Sequence, residues 1–247
     1  MKRHAALITG ACGAIGESLC AAFHREGWYV IASDISENCQ VPCDYYIKID
    51  LSLLCTDSDY ADDKLSLLRS ELPDKKLDVL INNAAIQVVA PLEEISAESW
   101  RKTFDINLIA PALLVRDLIN ELEAANGSVI NIASIHSKLT KPDFSAYASS
   151  KAALVGLTRS LAIELGQRIR VNAISPAAIK TPMLEEGFRG TDIKLSDLEK
   201  MHPVGRIGQP SEISALALFL TSEAAGFING AEIGIDGGIR GRLHDPV

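Results

Sequence analysis

The sequence predicts an α/β fold in which a doubly wound parallel sheet of about seven strands carries helices on both faces. Short apolar runs alternate with longer helix-like stretches along the whole 247-residue chain. Most runs are rich in Val and Ile and apolar on both faces, which is typical of parallel strands buried on both sides. Aromatic residues make up only 5% of the chain, so we expect a core of Ala, Ile, Leu and Val.

Seven apolar runs are the predicted strands. They are Ala5–Thr9, Tyr29–Ser33, Tyr46–Ile49, Val79–Asn82, Ser128–Ala133, Arg170–Ile174 and Glu232–Ile235. The helical periodicity between them is clearest in Ile15–Glu26, Ala97–Glu123 and Ala148–Leu165. Since no repeat or linker interrupts this alternation, we expect one domain over residues 1–247. The least regular stretch, residues 182–203, follows a strand end, where doubly wound sheets bind ligands, and is predicted to be a mobile flap.

Composition narrows the classes of partner and compartment. A net charge of −8 argues against nucleic acid or an anionic membrane surface as the main partner. No apolar run approaches the ~20 residues that a membrane helix needs, and Ala5–Ile8 is too short for a signal peptide. The cysteines lack zinc-site spacing, so we expect no metal and interpret all five as free thiols of a cytoplasmic protein. They are Cys12, Cys20, Cys39, Cys43 and Cys55.

A glycine-rich turn follows the first predicted strand and opens the first predicted helix. Gly10, Gly13 and Gly16 let the backbone turn tightly, and the helix N-terminus offers free N–H groups to a pyrophosphate. A plain strand–helix turn is the alternative, but the position at the first strand–helix junction favours a dinucleotide site. Cys12 lies within this turn, either as a small packed side chain or as a point of sensitivity to thiol reagents.

Asp34 ends the second predicted strand and points to the type of cofactor. A carboxylate at this place accepts hydrogen bonds from the adenosine ribose hydroxyls and repels a 2′-phosphate. The next residue is Ile35 rather than an arginine that could hold that phosphate. We therefore expect NAD(H) rather than NADP(H); the alternative is an aspartate that only forms a turn.

Three side chains suggest the chemistry. Tyr147 and Lys151 are four residues apart at the start of a predicted helix, so they share one face, and Ser134 follows a predicted strand. A nearby ammonium lowers the pKa of a tyrosine from its usual ~10, and Lys151 can supply that charge. The Ser134 hydroxyl can orient a substrate oxygen toward Tyr147. An isolated Tyr–Lys pair is more often a surface feature, but with the turn and Asp34 in order it favours an acid–base site.

In these features the sequence resembles the short-chain dehydrogenase/reductase family, in its short single-domain form, over essentially the whole chain. The resemblance implies a Rossmann fold and hydride transfer between NAD(H) and an alcohol or carbonyl. It implies that Asn107 is a fourth catalytic residue, holding a water that links Lys151 to solvent. It also implies a cofactor site formed by Thr9, Gly10, Gly13, Ala14, Ile15, Gly16, Asp34, Asp50, Leu51, Asn83, Ala84, Ala85, Tyr147, Lys151, Pro176, Ile179 and Thr181.

The sequence also departs from the family pattern. Ala14, Ala85 and Ala177 each stand where the family usually has glycine, which should tighten the groove slightly. The glycine spacing also fits the longer sugar-nucleotide-modifying branch, but only 96 of the 247 residues follow Lys151, too few for its larger substrate region. The short interval between Asp34 and Asp50 should form a compact loop over the adenosine end instead of a full helix.

Substrate identity is the least determined feature. Gln87, His136, Phe144 and Met183 are candidate substrate contacts, although each could equally be an ordinary loop position. An NAD-dependent alcohol or polyol dehydrogenase is the leading hypothesis. The alternatives are a 3-oxoacyl-thioester reductase and a non-catalytic NAD-sensing protein on the same fold. The resemblance implies a homotetramer.

Overall fold

The computed structural model describes residues 3–182, 184 and 195–243. They contain one seven-stranded parallel sheet with the order β3-β2-β1-β4-β5-β6-β7. The strands are β1 (Ala5–Thr9), β2 (Tyr29–Asp34), β3 (Tyr45–Lys48), β4 (Val79–Asn82), β5 (Ser128–Ile132), β6 (Arg170–Pro176) and β7 (Glu232–Ile235). The strand order reverses between β1 and β4, and this switch point is where doubly wound sheets bind ligands. The predicted fold class is confirmed.

Helices cover both faces of this sheet. They are α1 (Ala14–Arg25), α2 (Leu51–Thr56), α3 (Ser58–Glu71), α4 (Ala97–Phe104), α5 (Ala110–Asp117), α6 (Ile119–Ala125), α7 (Ser145–Leu165), α8 (Leu195–Met201) and α9 (Pro210–Thr221). One core cluster packs α2, α3, α5, α6 and α7 on one face, and a second packs α1 and α9 on the other. None of the described helices is both long and apolar enough to cross a membrane.

The strands are apolar on both faces because alternate residues enter different clusters. Leu7 and Leu80 belong to the first cluster, whereas their neighbours Ile8 and Ile81 belong to the second. In the sheet Ile8 lies beside Ile81 and Ile81 beside Ile130, so each cluster is continuous across the strands. This arrangement explains why the strands appear in the sequence as unbroken apolar runs.

A chain of buried polar side chains crosses the middle of the sheet. Asn82 on β4 donates to Asn131 on β5 at 2.8 Å, and Asn131 donates to the Thr158 hydroxyl on α7 at 2.9 Å. Asn82 and Asn131 are register partners in the sheet. Each of the three residues is at most 3% exposed, so these bonds replace part of the water that the side chains lose on folding, while the Asn82 Oδ1 has no partner among the described residues.

The prediction of a single helix over Ala97–Glu123 is wrong. The segment is divided into α4, a π-helical turn at Asp105–Ile109, α5 and α6. Pro111 is one physical reason, because it has no N–H to donate to the carbonyl of Asn107 four residues earlier. Short π-helical turns of this kind are frequent at functional sites.

Two loop predictions have different outcomes. Between β2 and β3 the chain forms no helix, as expected from the short interval. The predicted flap at residues 182–203 contains α8 at its end, while residues 183 and 185–194 lie outside the described residues. The flap therefore stays a prediction.

The prediction of five free thiols is also wrong. Cys12 and Cys39 form a disulfide with their Cα atoms 5.5 Å apart, whereas Cys20, Cys43 and Cys55 are free. The loop after β2 folds back onto the turn after β1, which brings together two residues 27 positions apart. Nothing in the cysteine spacing signals this contact, because it depends on the tertiary path of the loop.

Candidate active site

A cavity of about 540 Å³ lies at the carboxyl ends of the central strands. Most of the predicted cofactor residues line it, namely Thr9, Gly10, Gly13, Ala14, Ile15, Gly16, Asp34, Asp50, Leu51, Asn83, Ala84, Ala85, Tyr147, Lys151 and Thr181. Pro176 and Ile179 are not among the lining residues. Pro176 ends β6, and the buried Ile179 forms a β-bridge with Gly208. The structure therefore gathers nearly all of the predicted set in one cavity.

Further lining residues were missed by sequence reasoning. They are Cys12, Ser33, Ile35, Ile49, Ile86, Lys102, Ile106, Ile132 and Pro182. Most of them adjoin a predicted residue in the chain, as Ile35 adjoins Asp34, so proximity along the sequence was an available signal. Lys102 on α4 gave no signal, because a lysine on a helix is usually only solvated.

The glycine-rich turn has the geometry of an anion cradle. A Cβ atom on Gly10 would lie 2.6 Å from the Ala84 Cα, and one on Gly16 would lie 2.1 Å from the Gly10 carbonyl oxygen. Gly10 also has a φ of +64°, which disfavours other residues. At the start of α1 no side chain caps the free N–H groups, so they remain available to an anion. These features fit the pyrophosphate of a dinucleotide.

Thr9 and Asn83 join this turn to the loop after β4. The Thr9 hydroxyl accepts from the backbone N–H groups of Asn83 and Ala84 at 3.0 and 3.1 Å. In return, the Asn83 side-chain amide donates to the carbonyls of Thr9 and Gly10 at 3.0 and 2.9 Å. Both walls of the cavity are thus held together by hydrogen bonds before any ligand enters.

Asp34 is fixed at the end of β2 by the turns on either side of it. Its Oδ2 accepts from the Cys12 backbone N–H at 3.0 Å, and its Oδ1 accepts from the Ser36 N–H and hydroxyl, each at 3.1 Å. These bonds use three of the roughly four lone-pair sites of the carboxylate, so Asp34 keeps acceptor capacity on Oδ2 for one ribose hydroxyl. The next residue, Ile35, is apolar, so position 35 offers no cationic side chain that could bind a 2′-phosphate.

Tyr147 and Ser134 meet at the inner end of the cavity. Both Tyr147 and Lys151 lie in the first two turns of α7, and the Ser134 side chain is near enough to the Tyr147 hydroxyl to favour a lower pKa of that group. Ser134 follows β5 and is 7% exposed, which places it behind the cavity wall. The Lys151 ammonium donates to the Ile132 carbonyl at 2.7 Å, and its Nζ lies 5.8 Å from the centre of the Tyr147 ring. The predicted triad therefore forms one cluster.

Burial shifts the titration of both groups. It lowers the pKa of Lys151 from 10.5 to about 7, because the ammonium loses its hydration. It raises the pKa of Tyr147, and the nearby Ser134 side chain only partly opposes this shift. The expectation that Lys151 lowers the pKa of Tyr147 is not met in this arrangement, since the loss of hydration dominates. A lysine that titrates near neutrality is nevertheless suited to moving a proton.

Asn107 is clamped within the π-helical turn. Its Oδ1 accepts from the Ile86 N–H, and its Nδ2 donates to the Ile86 carbonyl and the Ser150 hydroxyl, all at 2.9 Å. The residue is 1% exposed and does not line the cavity. Its side chain thus fixes the loop after β4 against α7, the helix that carries Tyr147 and Lys151.

The predicted substrate contacts are only partly assembled. His136 stacks on Phe144 with ring centres 4.5 Å apart and meets the edge of Tyr147 at 5.7 Å. Burial and the nearby Lys141 ammonium lower the pKa of His136 to about 4, so the ring is neutral at pH 7. Gln87 is exposed, and none of these three candidates lines the cavity. Met183 lies outside the described residues.

The comparisons with known proteins agree with this geometry. A family model described as "Enoyl-(Acyl carrier protein) reductase" matches residues 10–240. The chain is 35% identical to Protein FixR of Bradyrhizobium diazoefficiens, covering 94% of this chain and 85% of that protein. It is 34% identical to the NAD-dependent glycerol dehydrogenase of Listeria innocua, covering 94% of this chain and 92% of the enzyme.

Two further similarities concern an enzyme and a solved structure. The D-threitol dehydrogenase of Mycolicibacterium smegmatis is 34% identical, with 94% of this chain and 91% of the enzyme covered. A structure of 4-hydroxyisoleucine dehydrogenase complexed with NADH superposes with a TM-score of 0.86 at 31% identity, covering 98% of this chain and all of that chain.

Proposed function

The chain belongs to the short-chain dehydrogenase/reductase family, and we propose that Ser134, Tyr147, Lys151 and Asn107 carry out its chemistry. It is an NAD-dependent oxidoreductase that acts on CH–OH groups and their carbonyl counterparts. NAD(H) supplies or accepts the hydride when it is bound. The observation that carries the assignment of residues is that Tyr147, with Ser134 near its hydroxyl, lies beside the buried Lys151 ammonium in one cavity.

We assign the two ends of the cofactor to different parts of the cavity. The turn from Gly10 to Gly16 and the start of α1 hold the pyrophosphate, because the N–H groups there line the cavity and carry no side-chain cap. Asp34 holds the adenosine ribose through its remaining acceptor capacity. Tyr147 and Lys151 lie at the nicotinamide end of the same cavity, together with Thr181.

The proton moves through Tyr147. In the reducing direction its hydroxyl donates to the substrate oxygen, and the raised pKa keeps that proton in place until the oxygen becomes basic. In the oxidising direction Tyr147 first gives up its own proton, which the Lys151 amine is able to accept, and the phenolate oxygen then takes the proton of the alcohol. Ser134 donates a hydrogen bond that holds the substrate oxygen beside Tyr147. Lys151, with a pKa of about 7, is able to return the proton, and Asn107 positions the connection to solvent.

A small polyol or another uncharged alcohol is the substrate class that we propose. Of the relatives whose names state an activity, two are dehydrogenases of glycerol and D-threitol, and a third is a 3-oxoacyl-(acyl-carrier-protein) reductase. Next to Tyr147, behind the residues that line the cavity, a neutral imidazole is stacked on Phe144, and these uncharged rings suit an uncharged ligand. Lys138 forms an ion pair with Glu232 at 2.8 Å, so its charge is already balanced.

A 3-oxoacyl-thioester reductase is the second candidate, because the chain is also 34% identical to the 3-oxoacyl-(acyl-carrier-protein) reductase of Thermotoga maritima. Such relatives often use NADPH, and the Asp34 carboxylate counts against a 2′-phosphate. An NAD sensor without turnover is the third candidate. The cluster of Ser134, Tyr147 and Lys151 argues against it, since a sensor has no need of an acid–base group.

Absorbance at the NADH band tests these candidates together. The purified protein is supplied with NAD or NADP and a panel of alcohols, polyols, hydroxy acids and, with the reduced cofactors, oxoacyl thioesters. We expect turnover of a polyol with NAD. Asp34→Asn should raise the KM for NAD by about 10–100-fold, since each hydrogen bond to a charged group contributes ~1.5–3 kcal/mol. Turnover of thioesters with NADPH alone would overturn both the assignment of NAD(H) as cofactor and that of a polyol as substrate. Binding of the cofactor without any turnover would indicate a sensor.

We also propose that the chain is a single domain with a substrate flap at residues 182–203 and that it is cytoplasmic. We further propose that it forms a homotetramer. Ile163 on α7 is 88% exposed, and Gly156 on the same helix has open space around it. Phe227 is fully exposed, so a partner surface over these residues would remove apolar area from water. Size-exclusion chromatography with light scattering should give four times the mass of the 26.6 kDa chain. A clean monomer would contradict the assembly.

A further inference from the structure

We propose that Cys12 and Cys39 form a reversible thiol–disulfide site that controls how tightly the protein binds the adenosine end of its cofactor. The inference rests on the NAD(H) site proposed above. Cys12 lies in the turn after β1 and lines the cavity, while Cys39 lies in the loop that joins β2 to β3. The disulfide therefore ties this loop, residues 35–44, to the cradle for the pyrophosphate.

Asp34 stands between the two segments that the disulfide joins. One carboxylate oxygen accepts from the backbone N–H of Cys12 itself, at 3.0 Å. The other accepts from Ser36, which opens the 35–44 loop, at 3.1 Å. Closing the Cys12–Cys39 bond thus restrains both hydrogen-bond donors that orient the carboxylate predicted to bind the ribose.

Apart from the disulfide, no fully buried side chain of residues 35–44 anchors the loop: Val41 and Cys43 pack only partly against the core, and Asp44 at its end pairs with Arg3. It contains no helix or strand, and most of its residues from Ile35 to Asp44 are at least partly exposed. Near its start, the Tyr46 hydroxyl donates to the Ser36 carbonyl at 2.6 Å, and Glu37 forms an exposed ion pair with Lys48. Segments with so few buried contacts open locally at low free-energy cost. Reduction should therefore lower the fraction of molecules in which Asp34 is held ready for the ribose.

The chemistry needs a dithiol/disulfide couple and nothing else. In the reducing direction a small dithiol is oxidised to a disulfide and gives two protons and two electrons to the protein. The Cys12–Cys39 bond breaks, and both cysteines become thiols. The reverse exchange restores the bond. Both cysteines are half-buried, so a small reagent can reach them. In a reducing compartment, disulfides are usually transient and redox-sensing rather than structural.

The other cysteines near this loop are poor competitors for the exchange. Cys20 is buried in the core, and burial raises its pKa to about 12. Burial, together with the adjacent Asp44 carboxylate, raises the pKa of Cys43. Since the thiolate is the attacking species, both side chains should remain as unreactive thiols at neutral pH. The exchange is thereby confined to Cys12 and Cys39.

The test measures binding of ADP-ribose by calorimetry to the whole protein, equilibrated with either reduced or oxidised dithiothreitol. ADP-ribose carries the adenosine ribose and the pyrophosphate but no nicotinamide, so its binding does not depend on turnover. We expect the reduced protein to bind about tenfold more weakly, which is the effect of a binding-ready loop populated about a tenth of the time. Alkylation and mass spectrometry count the free thiols in each sample.

Two serine variants complete the design. Cys39→Ser should bind ADP-ribose as weakly as the reduced protein under both conditions, whereas Cys43→Ser, in the same loop, should respond as the unaltered protein does. The inference would be overturned if the Cys12–Cys39 bond did not form under oxidised dithiothreitol. It would also be overturned if the oxidised protein bound ADP-ribose no more tightly than the reduced protein. Equal binding in both states would leave the NAD(H) site intact, while no binding of ADP-ribose in either state would remove the proposed cofactor site as well.

Discussion

Replacing Tyr147 with Phe should lower kcat by about 10²–10⁴-fold, the usual contribution of a positioned acid–base group. The variant keeps the ring and its edge contact with His136 but loses the oxygen that exchanges a proton with the substrate. The Ser134 hydroxyl keeps its hydrogen bond from the His136 N–H, so the local loop should stay in place. The rate of NADH formation with the best alcohol of the panel measures the effect.

The control for this variant is Tyr29→Phe. Tyr29 begins β2, so it lies at the amino ends of the strands, whereas the cavity lies at their carboxyl ends. Removing its hydroxyl should therefore leave kcat within about twofold, as for most changes away from a site. ADP-ribose should bind both variants as it binds the unaltered protein, because neither change reaches Asp34. A Tyr147→Phe protein that retained most of its activity would mean that another group moves the proton.

Replacing Lys151 with Met should abolish turnover and, at pH 7, make the protein more stable. Burial lowers the pKa of Lys151 in the folded protein to about 7, whereas the unfolded chain titrates near 10.5. Between these values the unfolded state binds more protons, so the lysine reduces the free energy of unfolding as the pH falls. At ~1.4 kcal/mol per pH unit, Lys151 lowers the free energy of unfolding by about 4 kcal/mol near pH 7 and by about 1 kcal/mol near pH 10.

The lost hydrogen bond to the Ile132 carbonyl works in the opposite direction. Leaving that carbonyl without its donor costs about 1–3 kcal/mol at any pH. We therefore expect Lys151→Met to raise the free energy of unfolding by about 1–3 kcal/mol at pH 7 and to leave it unchanged or lower near pH 10. Urea unfolding at equal protein concentration, compared with the exposed Lys200→Met, measures the difference. A gain that does not vary with pH would show that Lys151 is not titrating as inferred.

The strands show how far a sequence alone determines this fold. The predicted bounds of β1, β4 and β7 coincide with those of the structure, because these short Ile- and Val-containing runs are bounded by turns. The helix predicted over Ala97–Glu123 failed because its apolar periodicity continues through the interruption. Polar residues such as Asp105 and Asn107 also occur in ordinary helices, so the position of the π-helical turn is revealed only by the structure, in which Asn107 makes buried hydrogen bonds.

The site shows the same division between local and long-range information. Asp34, Tyr147 and Lys151 line the cavity as expected, since each carries a local motif that fixes its place at a strand or helix end. The Cys12–Cys39 pair was not predictable, because it depends on how a ten-residue loop without regular structure folds back. The contact between His136 and Phe144 likewise arises from tertiary packing and has no motif of its own.

The buried chain from Asn82 through Asn131 to Thr158 has a consequence for how the protein folds. Parallel strands pair slowly and can begin in the wrong register, because apolar runs such as those of β4 and β5 match one another in several alignments. A slip by one residue would separate the two amides and bury each without a partner, at about 1–3 kcal/mol apiece. Misaligned intermediates are therefore unstable. Mutating either asparagine to leucine should lower the rate of folding more than it lowers the stability of the folded protein.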